Sequence, residues 1–297
     1  MDPRAALSML ARPTPAPGTA RGTLVIAGAT GVLGAAVLHR LVGMQRHAHT
    51  HVLALTAMTD GLRGVSALVL PEGSAAPWQA AGRGAPAVAQ GGADVARWPL
   101  APADSAVVLF DPPRLFHGRE RALFTPTPEL LPDLARWLRR CGVRTLAVVQ
   151  PHAPASLPQS LQRGLASLDE QAVAAAGFER LLIVRSPVKP GAAPAAATLP
   201  RRVAAWMLST LRYMVPGSEQ PVRAVRVAAF VDQALQLLPQ GTWVAPPELV
   251  WRASQGDASQ LRALVQAWVQ GAPVGDAQAD RARAPADASA APAPGRP

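Results

Sequence analysis

The chain has 297 residues, of which 49% are hydrophobic, 16% charged and 4% aromatic. This apolar content is enough for a large core, and proline plus glycine stay below the roughly 25–30% typical of low-complexity chains. The single cysteine, Cys141, excludes an internal disulfide framework and a zinc site of several thiolates, and it favours a cytoplasmic location. The formal net charge of +10 indicates an affinity for anions of some kind.

Neither end of the chain has the composition of a folded element. Residues 1–22 are rich in proline and residues 271–297 in alanine and proline, so both are predicted to be disordered tails. No export signal is recognisable, and glycines interrupt the uncharged run Gly22–Leu38, which does not resemble a membrane helix. We therefore expect no membrane partner.

Short apolar runs alternate with helical patterns between the tails. The predicted strands are Thr23–Ala27, Val52–Ala57, Ala106–Phe110, Thr145–Val149 and Leu181–Arg185, with Val65–Leu70 as a further candidate. The predicted helices between them are Val32–Met44, Pro128–Arg140 and Leu157–Ala176. Because the strands are apolar throughout, they are expected to be parallel and covered on both faces. Residues 23–190 are therefore predicted to form an α/β, Rossmann-type doubly wound parallel sheet.

The pattern changes after Pro190. Helices are predicted at Val203–Met214, Val225–Leu238 and Ser259–Gln270, with a strand near Thr242–Ala245. We interpret residues 191–270 as a small C-terminal helical cap, or substrate region, over the carboxyl ends of the sheet.

A glycine-rich turn follows the first predicted strand. In a dinucleotide-binding turn the first glycine permits a tight bend, the second lets the backbone approach a diphosphate, and the third lets the helix pack on the strand. The diphosphate then lies on free N–H groups at the positive end of the helix dipole. The alternative is a vestigial turn. The predicted cofactor-binding residues are Gly28, Ala29, Thr30, Gly31, Val32, Leu33, Gly34 and, at the end of a nearby strand, Phe110.

The second predicted strand gives a weak indication of which cofactor is bound. An NAD site typically has an acidic residue near its end, but here the sequence runs Thr56-Ala57-Met58-Thr59 before Asp60. The absence of a carboxylate permits a 2′-phosphate, so NADP is favoured over NAD. Three arginines are candidates for its counter-charge, with ordinary solvated arginines as the alternative: Arg40, Arg46 and Arg63.

The chain resembles the atypical short-chain dehydrogenase/reductases, the NmrA-like NAD(P)-binding proteins in particular. The resemblance covers roughly residues 23–250 and depends mainly on the glycine turn. Further matches in order and spacing are the apolar strand before Asp111, the helix that leads into Thr145–Val149, and the strand that ends at Pro187. It implies a Rossmann fold, an NAD(P) cofactor and an oxidoreductase-like function.

The catalytic set that the resemblance implies is missing. That set is a serine after the strand Thr145–Val149 and a Tyr-x-x-x-Lys pair on the following helix, but Gln150-Pro151-His152 follows the strand. The Tyr and Lys positions fall near Gln162 and Ala166, and Leu157–Ala176 contains neither residue type. A positioned acid/base typically contributes about 10²–10⁴ in rate. Any reduction would therefore need another proton donor.

Two residues are candidates for that role. His152 follows a strand whose carboxyl end should face the cofactor, and Asp111 also lies at a strand end, where α/β proteins bind ligands. The alternatives are a solvent-exposed loop histidine and a turn residue before Pro112-Pro113.

Two further clusters of side chains are candidates for binding a ligand. An extended backbone would place His47, His49 and His51 on one face, where imidazoles can bind zinc or copper, but no carboxylate or thiolate is nearby, and no metal is predicted. An arginine cluster could meet an anionic ligand or be a solvated loop: Arg114, Arg119 and Arg121. No basic stripe with aromatics is present, so nucleic acid is not an expected partner.

Two functional classes follow. One is an NAD(P)-dependent oxidoreductase with a non-standard proton donor and an unknown small-molecule ligand. The other is a non-catalytic NADP(H)-binding sensor or regulatory protein, which the missing serine, tyrosine and lysine favour. The cleft expected between the sheet and the cap keeps the first class open, so the chain is interpreted as an oxidoreductase-like NAD(P)-binding protein, with the sensor as the alternative and turnover undecided.

Overall fold

The computed structural model describes residues 22–58, 63–74, 94–114, 118–151, 168–186 and 223–271. Its strands are β1 (Thr23–Ala27), β2 (His49–Ala54), β3 (Val65–Val69), β4 (Ser105–Leu109), β5 (Thr145–Pro151), β6 (Arg180–Ser186) and β7 (Gly241–Ala245). Its α-helices are α1 (Gly31–Gly43), α2 (Leu131–Arg140), α3 (Leu168–Ala175), α4 (Ala224–Leu237), α5 (Pro247–Gln255) and α6 (Ala258–Val269). Three 3₁₀ turns lie at Val95–Arg97, Gly118–Ala122 and Pro128–Leu130.

The seven strands form one parallel sheet in the order β3-β2-β1-β4-β5-β6-β7. The order reverses between β1 and β4, and ligands of open α/β sheets bind at such a switch point. The predicted Rossmann-type doubly wound sheet is confirmed.

Both faces of the sheet are buried. Leu24 and Ile26 of β1 face one apolar cluster, whereas Val25 and Ala27 face another. The helices α1, α4, α5 and α6 contribute to the first cluster, and α2 and α3 to the second. Burying a leucine or isoleucine side chain stabilises the fold by roughly 1.5–3 kcal/mol. This explains why the strands are continuous apolar runs rather than alternating ones.

The C-terminal elements differ from the predicted cap in position. Strand β7 pairs with β6 and extends the sheet, and α4 packs against α1 and against β5 and β6. Helices α4, α5 and α6 therefore cover one face of the sheet, rather than lying over its carboxyl ends as expected, and residues 191–222 of the predicted cap lie outside the described residues. Helix α5 was not predicted, although Pro247 at its first position and Glu248 in its first turn are ordinary start signals. The predicted helix Val203–Met214 lies outside the described residues.

Within the part of the chain that the structure describes, every helix is too short or too polar to cross a lipid bilayer.

Candidate functional site

The glycine turn between β1 and α1 has the backbone that its sequence predicts. Gly28 and Gly31 have φ values of +83° and +70°, in the left-handed region that favours glycine. A Cβ on Gly34 would overlap the carbonyl oxygen of Gly28, so its absence lets α1 pack closely on the turn. The first and third glycines thus have the backbone geometry that was expected, and their part in binding a cofactor stays a prediction.

The second glycine is approached by a side chain of the protein itself. A Cβ on Gly31 would overlap Oδ2 of Asp111, which lies just beyond the carboxyl end of β4. The N–H of Leu33 donates to this same oxygen at 2.9 Å, and the hydroxyl of Thr30 donates to the Asp111 carbonyl oxygen at 2.6 Å. The carboxylate of Asp111 therefore lies on the amino end of α1, where a negative charge is stabilised.

A second carboxylate binds the same turn. The N–H of Gly31 donates to Oε2 of Glu120 at 3.0 Å. The backbone N–H of Arg114 donates to Oε2 at 2.8 Å, and its Nε donates to Oε1 at 2.6 Å. Glu120 is only 7% exposed, so these charge-assisted bonds form largely out of water.

The two carboxyl groups shift in opposite directions. Burial raises the pKa of Asp111, and the nearby charge of Glu120 adds to the rise, against the N–H groups of Leu33 and Val32. Burial also raises the pKa of Glu120, but hydrogen bonds from Arg114 and from the Gly31 N–H outweigh it, and the pKa is lowered. Glu120 is thus the more firmly ionised of the two groups.

Backbone from the same part of the chain covers the neighbouring strand end. The N–H of Leu55 donates to the Ala122 carbonyl at 2.7 Å, and the N–H of Phe124 donates to the Leu53 carbonyl at 3.0 Å. The N–H of Gly28 in turn donates to the Phe124 carbonyl at 3.1 Å. Residues 118–125 therefore run from the glycine turn to the end of β2, where the ribose of a dinucleotide lies in Rossmann proteins.

These contacts test whether a dinucleotide fits the site. The backbone fits, because the turn has no side chain at its close approaches and α1 presents its first N–H groups. The side chains do not fit, because the Gly31 and Leu33 N–H groups are bonded to two carboxylates that would repel a diphosphate. A dinucleotide can use this turn only after Asp111 and Glu120 have moved.

Two arginines considered for a 2′-phosphate have another partner. Nε of Arg40 donates to Oδ2 of Asp232 on α4 at 2.9 Å, and Nε of Arg46 lies 2.9 Å from Oδ1. The Asp232 side chain is fully buried, so these arginines compensate a carboxylate that would otherwise be unpaired in the core. Arg40 and Arg46 are therefore not simply solvated, their role toward a 2′-phosphate stays a prediction, and Arg63 is the candidate for which no such ion pair is described.

The structure brings most of the predicted site residues together. The turn residues 28–34 and Asp111 are in direct contact, Phe110 lies beside them packed on the core, and His152 lies outside the described residues. The catalytic roles of His152 and Asp111 stay predictions.

Sequence reasoning missed Glu120. The nearby arginines were predicted as possible ligands of an external anion, whereas Arg114 binds Glu120, an anion of the chain itself. A single acid in an arginine-rich loop after a strand end was the available signal.

Of the three histidines considered as metal ligands, two lie together and one lies apart. His49 Nε2 and His51 Nδ1 lie 2.8 Å and 2.9 Å from the Ser66 hydroxyl oxygen, so they share one face of the sheet as expected. His47 precedes the strand and is half-buried apart from them. Among the described residues, no group of three or more histidine, cysteine, aspartate or glutamate side chains could hold a metal ion.

A surface hollow of about 580 Å³ lies away from the glycine turn, beside α2. Its arginines have partners within the chain. Arg136 pairs with Asp133 at 2.7 Å, while Arg139 and Arg140 donate to backbone carbonyls. The cations that line the hollow, like the N–H groups of the glycine turn, are thus bound by groups of the chain itself.

Comparisons with known proteins give only distant likenesses. No family model and no curated protein matches the chain. The enzyme WbmG of Bordetella bronchiseptica, solved in complex with NAD, is 14% identical with a TM-score of 0.41, covering 87% of this chain and 81% of WbmG. The reductase domain of the aureusimine biosynthetic cluster is 12% identical with a TM-score of 0.39, covering 89% of this chain and 80% of that domain. The PhqB reductase domain of Penicillium fellutanum is 13% identical with a TM-score of 0.31, covering 91% and 86%.

The fold assignment rests on the strand order and on the β1–α1 turn of the chain itself. The chain is a Rossmann-type α/β protein in which two of its own carboxylates bind the glycine turn.

Proposed function

We propose that this chain is a dinucleotide-binding protein of the short-chain dehydrogenase/reductase type, similar to the NmrA-like group, which binds NADP(H) in a sensing or regulatory role without turnover. The observation that supports binding is the backbone of the glycine turn. Gly28 and Gly31 have positive φ values, and α1 begins at the switch point of the sheet.

The sequence supports the absence of turnover. The chain has one tyrosine, Tyr213, and one lysine, Lys189, and neither lies on the segment between β5 and β6 where a Tyr-x-x-x-Lys pair would stand. Asp111, the acid nearest to the turn, has its carboxylate bonded to the Leu33 N–H. The described residues thus offer no free acid/base at the turn.

The preference for NADP over NAD rests on two features of β2. The residues that follow it, Leu55–Met58, include no carboxylate that would repel a 2′-phosphate. Arg63 precedes β3, the strand that pairs with β2, and supplies a positive charge. We expect Arg63→Gln to weaken NADPH binding and to leave NADH binding unchanged.

The test is a fluorescence titration of the purified protein with NADPH and NADH, followed by assays with quinones and aldehydes. We expect saturable NADPH binding at micromolar to millimolar concentration and no oxidation above the rate without protein. Failure of both nucleotides to bind at millimolar concentration would contradict the proposal.

A catalytic alternative rests on the position of β5. This strand ends at Pro151, so the chain leaves the carboxyl edge of the sheet directly before His152. If NADPH is consumed, His152→Ala should abolish consumption, whereas His39→Ala, on the exposed side of α1, should not. Consumption that survives His152→Ala would remove this residue as the proton donor.

A further inference from the structure

We propose that Asp111 and Glu120 are an internal anionic ligand of the glycine turn, which competes with the diphosphate of a dinucleotide and keeps the affinity of the protein low. This inference rests on the proposed function, because it concerns the same turn. The two carboxylates bind the N–H groups of Leu33 and Gly31, at 2.9 Å and 3.0 Å.

The two carboxylates bind N–H groups at the start of α1 that a diphosphate would also need. At the start of a helix the first N–H groups have no intrahelical partner, and they bind a phosphate because they are free and positively polarised. Here two of these N–H groups have carboxylate partners. A diphosphate and the two carboxylates therefore need the same donors, and the same dipole stabilises either set of charges.

Contacts within the chain already require a glycine at position 31, whether or not a nucleotide is bound. A Cβ at this position would overlap Oδ2 of Asp111 and come within 2.8 Å of the Pro112 carbonyl oxygen. The close approach that requires a glycine is therefore made by the chain itself. A glycine in this motif accommodates the internal carboxylate as well as it would a phosphate.

Contacts outside the glycine turn also hold Glu120 in place. Arg114 donates its backbone N–H and its Nε to the two carboxylate oxygens, at 2.8 Å and 2.6 Å. The 3₁₀ turn Gly118–Ala122, which contains Glu120, then continues into backbone bonds with the end of β2. This preorganisation favours the bound arrangement, because little side-chain freedom is lost when it forms.

The size of the effect follows from population arithmetic. If the arrangement with the carboxylates released is populated at roughly 1–10%, the apparent affinity for a dinucleotide falls about tenfold to a hundredfold. Removing the charges of Asp111 and Glu120 should raise the affinity for a dinucleotide by the same factor. Replacing carboxylates elsewhere should not.

The experiment compares three proteins by calorimetric titration with NADPH and NADH: wild type, Asp111→Asn with Glu120→Gln, and the control Asp133→Asn with Glu129→Gln. The control also removes one aspartate and one glutamate charge, but at the start of α2, where Glu129 is exposed and Asp133 pairs with an arginine at the surface. We expect the dissociation constant to fall at least about tenfold in the first variant and to stay within about twofold in the control.

Two results would overturn the proposal, and they separate its failure from that of the proposed function. Equal, saturable binding by all three proteins would contradict the competition and leave dinucleotide binding intact. No binding by any of them would contradict both. If the double variant does not fold, Glu120→Gln alone, which keeps the shape of the side chain, should still tighten binding, and unchanged binding would overturn the proposal.

Discussion

The described α-helices α6 and α1 both begin on a carboxylate, and the two arrangements differ in where the carboxylate comes from. Helix α6 begins beside Asp257, whose Oδ1 accepts the N–H groups of Ser259 and Gln260 at 2.8 Å each. Helix α1 receives its carboxylates from positions that are 78 and 89 residues away in the chain. The first is a local cap of the helix. The second brings together two distant parts of the sheet edge.

The environment of the two caps also differs, and the pKa values follow it. Hydrogen bonds from Ser259 and from Gln260 lower the pKa of the exposed Asp257. Burial raises the pKa of Asp111, although it accepts helix N–H groups as well. A local cap is thus a solvated anion, whereas Asp111 in the cap of α1 is a half-buried anion at the place where Rossmann proteins bind a diphosphate. We therefore expect a functional consequence only of the second cap, which lies at the proposed dinucleotide site.

The largest expected difference concerns the glycines beside the two caps. Gly31→Ala should lower the free energy of unfolding by about 2–4 kcal/mol, because φ is positive and the new methyl group overlaps Asp111. Gly256→Ala should cost less, about 1–2 kcal/mol, because a negative φ of −94° suits alanine, although the new methyl group meets Oε1 and Cβ of Gln260 and some backbone shift is needed. Urea unfolding measures both, and equal losses would show that Asp111 does not crowd the turn.

A smaller effect is expected for the side chain that holds the α1 cap. Glu120→Ala should lower the free energy of unfolding by about 1.5–3 kcal/mol, because it leaves Arg114 and the Gly31 N–H without their charged partner. The exposed Glu129 offers a control, since Glu129→Ala should change stability by no more than about 0.5 kcal/mol. A loss as small for Glu120 as for Glu129 would mean that the buried contacts are absent in solution.

The smallest expected effect is a pH dependence of opposite sign at the two caps. The raised pKa of Asp111 means that its contribution to stability is present below the ordinary pKa of 3.8 and is lost as pH rises through the folded value. The lowered pKa of Asp257 means that its contribution is present above 3.8 and is lost as pH falls. Between pH 3 and 7, Asp111→Asn should therefore gain stability relative to wild type as pH rises, and Asp257→Asn should lose it.

Urea unfolding across this range, taken as the difference between each variant and wild type, measures the two slopes. Slopes of the same sign would contradict the assignment of one half-buried cap at Asp111 and one solvated cap at Asp257.

The sequence was sufficient to predict what local patterns determine. Strand β1 was predicted with its observed bounds, and α1 within one residue at each end, because a continuous apolar run and three spaced glycines are both short-range signals. Strand β2 was predicted three residues late, at Val52 instead of His49. Its first residues are the polar His49, Thr50 and His51, and no local pattern marks them as paired with β1.

The contacts of the candidate site could not be predicted in the same way. Asp111 was recognised as a residue at a strand end, but its bond to the Leu33 N–H depends on how β4 and β1 are placed side by side. The ion pairs of Asp232 with Arg40 and Arg46 likewise join α4 to the region of α1, across most of the chain. Pairings over such separations follow from the assembled sheet, and a single sequence contains no periodic signal for them.

The central claim is that the glycine turn is bound by the chain's own carboxylates in the absence of any ligand. Amide hydrogen exchange of the ligand-free protein tests it directly at Gly31 and Leu33. We predict exchange at least about tenfold slower than that of an unprotected amide, and a loss of this protection in Asp111→Ala with Glu120→Ala. Exchange of both amides at the unprotected rate in the wild-type protein would contradict the account.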